Sequence, residues 1–143
     1  MRVLLPFLAC LSGCAPVAAP KPLPMPPSAT APLPLRLVGT EPFWGVLLKD
    51  GALSFDAVDR GAIRAQIASV RVEGRTTVFR TPAPNAVFPV AVRAAVTPGD
   101  CSDGMSDRTY PYSAVVEVDY AGARPAETWR GCGGPESLFR SGE

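Results

Sequence analysis

Histidine is absent from all 143 residues of this chain. The only side chain whose ordinary pKa lies near neutrality is therefore missing. Ser–His and Cys–His nucleophile–base pairs are excluded with it. No G-x-S-x-G turn and no phosphate-binding glycine loop occurs. An excess of one charge sign is also lacking: 14 basic residues face 13 acidic ones, for a net charge of +1. Nothing in that balance points to a nucleic-acid partner or to electrostatic attachment to a membrane. Lysine is nearly absent, with two against twelve arginines, which reads as GC-rich coding rather than function. The apolar fraction of 47% is ordinary for a folded domain.

What is present begins at the N-terminus. Arg2 precedes a short apolar run from Val3 to Ala9, and Leu11-Ser12-Gly13-Cys14 follows. A basic residue, an apolar run and a small-residue cleavage site describe a secretory signal. The run is too short to cross a bilayer, which takes about 20 residues. Leu-Ser-Gly-Cys resembles the lipobox of bacterial lipoproteins, which implies cleavage before Cys14 and lipid on that cysteine. Cys10 is the weaker candidate, because Phe7-Leu8-Ala9 puts a bulky residue in the wrong place. An ordinary secretory signal with a chance cysteine is the alternative. Ala15 is not the aspartate that retains lipoproteins at the inner membrane of enteric bacteria, so the expected location is the outer membrane, facing the periplasm.

The cysteines then sort simply. Cys10 leaves with the signal and Cys14 takes the lipid, so Cys101 and Cys132 remain. Two cysteines without histidine cannot make a structural zinc site. In an oxidising compartment an even pair is expected to form a disulfide. It would close a loop of about 30 residues and stabilise the fold by roughly 3–4 kcal/mol. No metal and no cofactor is expected.

Eight prolines lie between Ala15 and Pro34. Each fixes φ and removes a donor, so polyproline II is the favoured state. At 3.1 Å per residue this stretch could reach about 60 Å and would act as a tether. The expected organisation is a signal over 1–13, a lipidated cysteine and tether over 14–34, a folded domain over 35–134 and a loose tail over 135–143. Within the domain, Phe43 to Leu48 and Ala52 to Phe55 read as a hairpin turned at Lys49-Asp50-Gly51. Thr76 to Arg80, Val90 to Val96, Ser113 to Tyr120 and Glu127 to Cys132 read as further strands, the second of these ended by Pro98-Gly99. Ile63 to Val72 fits both helical and alternating spacing, with strand or irregular structure favoured. The fold class is all-β, a small antiparallel barrel or sandwich.

Two motifs stand out. In Gly39-Thr40-Glu41-Pro42-Phe43-Trp44, Phe43 and Trp44 must point to opposite faces, one into the core and one towards a pocket rim. Glu41 could serve as an acid or bind a cation, or could simply satisfy backbone amides at a corner. The second motif is Asp100-Cys101-Ser102-Asp103-Gly104-Met105-Ser106-Asp107-Arg108-Thr109-Tyr110-Pro111-Tyr112. Its aspartates do not have the spacing of a calcium loop. It reads either as turn and cap chemistry or as a recognition loop clamped by the disulfide. Asp107 and Arg108 fit a local ion pair or turn support better than a catalytic pair. Candidate binding residues are Glu41, Trp44, Asp103, Asp107, Arg108 and Tyr110, with the two motifs expected to share one rim.

GTEPFW, CSDGMSDRTYPY and a strand ending in WRGC resemble a family of uncharacterised proteobacterial lipoproteins across most of Gly39 to Gly133. That resemblance implies an envelope β-domain with a Cys101–Cys132 bridge and supplies no mechanism. The function expected is a non-enzymatic cell-envelope lipoprotein binding a small ligand or an envelope protein. An inhibitor of an incoming hydrolase such as lysozyme is one alternative. An envelope enzyme using Glu41, Asp103, Asp107 or Glu127 is the other. Converging carboxylates would favour the enzyme, an apolar pocket the binder, and a protruding loop the inhibitor.

Overall fold

A computed structural model describes residues 30–121 and 125–140. The expected signal, Cys14 and most of the proline-rich stretch lie outside the described residues. No α-helix occurs among the described residues, and none of their helical segments is long and apolar enough to cross a membrane.

Nine strands follow one another: β1 (Leu35–Thr40), β2 (Phe43–Lys49), β3 (Ala52–Ala57), β4 (Ile63–Gln66), β5 (Ser69–Glu73), β6 (Thr76–Arg80), β7 (Ala91–Ser102), β8 (Thr109–Asp119) and β9 (Glu127–Pro135). They form one antiparallel sheet in the order β4-β3-β2-β1-β9-β8-β7-β6-β5, curled into a half-barrel. Its two edge strands are consecutive in the chain, joined only by Ile67-Ala68. The Ile67 N–H donates to the Gly51 carbonyl at 2.8 Å and the Ala68 N–H to the Arg80 carbonyl at 2.8 Å. The ambiguous Ile63–Val72 stretch is therefore two edge strands, bent where it leaves one side of the sheet for the other. Its mixed periodicity follows from that bend.

Alternation places one face of every central strand in the core. Leu35 and Leu37 of β1 pair with Leu48 and Val46 of β2, which pair with Leu53 and Phe55 of β3. Phe79, Val92, Val96, Val116, Val118 and Trp129 continue the same buried cluster. Phe55 and Trp129 meet edge to face at 5.6 Å between ring centres.

Three expected boundaries move. Val90–Val96 does not end at Pro98-Gly99. β7 runs on to Ser102 through a register shift between Pro98 and Cys101, a bulge that admits the proline without breaking the ladder. The domain also begins before Leu35. Ala31 is buried and its N–H donates to Thr77 Oγ1 at 3.2 Å, so the last residues assigned to the tether already pack. The tail after Gly134 is not loose either. Pro135 closes β9, and Glu136–Phe139 forms a 3-10 turn whose Glu136 N–H reaches the Pro34 carbonyl at 3.0 Å.

Candidate functional site

Trp44 explains the first motif. It is the β1–β2 partner of Gly39, and its indole lies across that glycine. A Cβ on Gly39 would sit 1.9 Å from Trp44 Nε1, and one on Gly131 would sit 2.0 Å from the Val38 carbonyl oxygen and 2.9 Å from the Trp44 ring. The glycines of GTEPFW and WRGC are thus the bed on which one buried tryptophan rests. Phe43 faces the other way and is 57% exposed. Trp44 takes the core role and Phe43 the rim.

The second motif is an arm at the end of β7 and β8. Cys101 and Cys132 are joined, tying β7 to β9. Asp103 organises the turn. Its Oδ1 accepts the N–H of Ser106 at 2.9 Å and that of Met105 at 3.1 Å, and the Ser106 hydroxyl lies within 3.0–3.1 Å of both carboxylate oxygens. Tyr110 donates its hydroxyl to Oδ2 at 3.1 Å. These donors, the Ser106 and Met105 amides foremost, hold the Asp103 carboxyl down to about 2. It stays ionised and is fully engaged in shaping its own loop.

The two motifs meet. Thr40 Oγ1 donates to the Asp103 carbonyl at 3.0 Å. From the other side Tyr110 stacks on Phe139 at 5.4 Å, the Arg36 guanidinium lies 5.7 Å over the same Phe139 ring, and Arg108 donates to the Leu138 carbonyl at 2.6 Å. Between the arm, the 3-10 turn and the outward face of β1–β3 lies an open groove of about 390 Å³. Val38 and Gly45 lie along its floor, Phe43 and Val58 form an exposed apolar wall, and Arg36 and Asp56 are its charged members besides Asp103.

Of the candidate residues, Trp44, Asp103 and Tyr110 border this groove, whereas Glu41, Asp107 and Arg108 are exposed outside it. Arg108 is turn support rather than half of an ion pair with Asp107. Glu127 lies elsewhere, bound to Arg60 at 3.1 Å and to the Tyr120 hydroxyl at 3.3 Å; Glu127 in turn raises the pKa of the Arg60 guanidinium. The structure adds Arg36, Asp56, Val58 and Phe139. Gly45 was the available signal for this region, an interior strand glycine in an otherwise apolar run. Phe139 was hidden behind Gly133-Gly134-Pro135, which reads as a terminator. No group of three or more metal-ligating side chains occurs among the described residues.

A second opening, about 440 Å³ and mainly apolar, lies between β4 and the Thr81–Val90 loop, against Pro82, Phe88 and Val90. It shares no residue with the groove. No family model, curated protein or solved structure matches the chain.

Proposed function

We propose that this chain is a non-enzymatic recognition domain of the bacterial cell envelope, held to the membrane by lipid on Cys14. The groove beside the Asp103 arm is its binding surface. The observation that carries this reading is the exposed apolar wall of Phe43 and Val58 facing an arm fixed in place by a disulfide and by bonds to two other elements. Loops held on a rigid scaffold are the usual seat of recognition, and a preorganised surface loses less entropy on binding. A carboxylate enzyme fits less well. A general acid needs a raised pKa, whereas Asp103 is held at about 2, and Glu127 is engaged with Arg60 on another part of the surface.

The hydrolase-inhibitor reading has one observation in its favour. Met105, at the tip of the clamped arm, is 65% exposed, and a rigid loop bearing an apolar side chain suits insertion into a partner's cleft. The family resemblance and the lipobox both support an envelope setting.

The test is affinity capture from envelope extract with the full chain, set against Phe43→Ser and Met105→Ser. Loss of a captured partner with Phe43→Ser supports the groove, and loss with Met105→Ser alone supports the inhibitor. Unchanged capture by both removes this surface from consideration. Separately, Cys14→Ser should leave the protein unprocessed or soluble; unchanged detergent partitioning, without labelled fatty acid in the wild type, would contradict the anchor.

A further inference from the structure

We infer that the groove takes a basic side chain of a partner polypeptide, with its ammonium or guanidinium head on Asp56 and its stem along Phe43 and Val58. This rests on the proposed binding role of the groove and names what enters it.

Val38, Gly45 and Asp56 form one cross-strand row on the outward faces of β1, β2 and β3. Gly45 is the gap in that row. The Asp56 carboxylate leans into the gap, its Oδ1 only 3.3 Å from where a Gly45 Cβ would stand. Asp56 is exposed, so the carboxylate leaning over this gap presents its oxygens to whatever enters the groove. Asp56 has no hydrogen-bond or ion-pair partner among the described residues. Asp103, the other groove carboxylate, differs, being fully engaged with its own loop.

The cation already in the groove is Arg36, and it does not reach Asp56. It lies on β1, two strands across and two residues along, its Cα about 12 Å from that of Asp56 by strand spacing, and it makes no ion pair with Asp56 among the described residues. It is also drawn over the Phe139 ring. An anion over this gap beside apolar side chains matches lysine or arginine. Such side chains lay an aliphatic stem on apolar surface while the head keeps a polar partner, and an aromatic ring adds cation–π attraction. Phe43 supplies the exposed ring and Val58 the apolar continuation, their backbones joined by the Val58 N–H to the Phe43 carbonyl at 3.1 Å.

The probe is the blocked tripeptide Ac-Ala-Lys-Ala-NH2, titrated up to about 50 mM against the isotope-labelled chain at low salt. The norleucine analogue is the neutral control, and glucosamine tests for a cation without a stem. Saturable shifts of the Gly45 and Asp56 amides with the lysine peptide are expected, at least about fivefold weaker for the norleucine analogue and for Asp56→Asn. Asp56→Glu should retain binding, and melting curves of both variants establish that they are folded. Equal binding by lysine and norleucine peptides, unchanged binding by Asp56→Asn, stronger binding of glucosamine, or no saturable shift would each overturn the inference. Partner capture that is lost in Phe43→Ser but insensitive to Asp56→Asn would overturn the cation while leaving the groove reading standing.

Discussion

Two loops of this domain are built on the same local device and end in different states. In the β7–β8 arm, Asp103 receives the N–H groups two and three residues ahead. In the β6–β7 loop, Asn85 does the same, its Oδ1 accepting from Val87 and Phe88 at 2.9 Å. Both are side-chain-closed turns. The arm is also tied to other elements: to β9 through the disulfide, to β1 through Thr40 and to the 3-10 turn through Arg108. The β6–β7 loop is tied at its root, where Thr81 Oγ1 accepts the Val92 N–H at 2.8 Å, and within itself, where the Asn85 N–H donates to the Phe88 carbonyl at 2.8 Å. Its tip residues Val87 and Phe88 stay out, at 77% and 59% exposure. A turn residue fixes the shape of a loop, and ties to other elements fix where that shape stands. Placement is what a recognition surface requires.

Removing the ties should collapse the difference. Replacing both Cys101 and Cys132 by alanine is expected to cost about 3–4 kcal/mol, read by denaturant unfolding, with the loosening confined to the arm and its contacts. Gly131→Ala should cost nearly as much, roughly 3 kcal/mol from overpacking. The added methyl would meet the Val38 carbonyl and the Trp44 ring, and tryptophan fluorescence should report the displacement. Acid should act on the arm and not on the Asn85 turn. The folded Asp103 pKa of about 2 lies below its ordinary value of 3.8, so its stabilisation is complete above about pH 4 and is lost as pH falls towards 2. Amide shifts of Met105 and Ser106 should follow that titration, Asp103→Asn should remove it, and the Asn85 turn should not respond. The smallest effect belongs to Phe88→Ser, within about 0.5 kcal/mol of wild type, with lower binding of an apolar dye at the cleft beside β4.

The strand content was legible because hydrophobic alternation is a local property. Val92, Val116 and Val118 announce their strands without help. The missed parts depend on partners distant in sequence. Gly133 and Gly134 look like a chain ending, yet they lie in β9, which is central and paired to both β1 and β8. Its glycines are there because large neighbours occupy the space, with Leu37 Cδ2 only 2.4 Å from a Cβ on Gly133 and Leu138 Cδ1 2.7 Å from one on Gly134. A glycine that stops a chain and one that makes room for a cross-strand side chain are the same letter. The meeting of the two motifs was legible from their shared mixture of aromatics and carboxylates. Which carboxylate stands open was not. Asp103 sits in the richer motif, whereas Asp56 owes its gap to Gly45 on the neighbouring strand.

The central claim is that groove and arm form one preorganised unit, and amide hydrogen exchange tests it most directly. In the oxidised protein the Met105 and Ser106 amides should be protected. Reduction of Cys101–Cys132 should speed exchange in the arm and in the Thr40–Gly45 segment together, leaving the Thr81–Val90 loop unchanged. An arm that loosens while Thr40–Gly45 keeps its oxidised rates would show two independent corners and contradict the account.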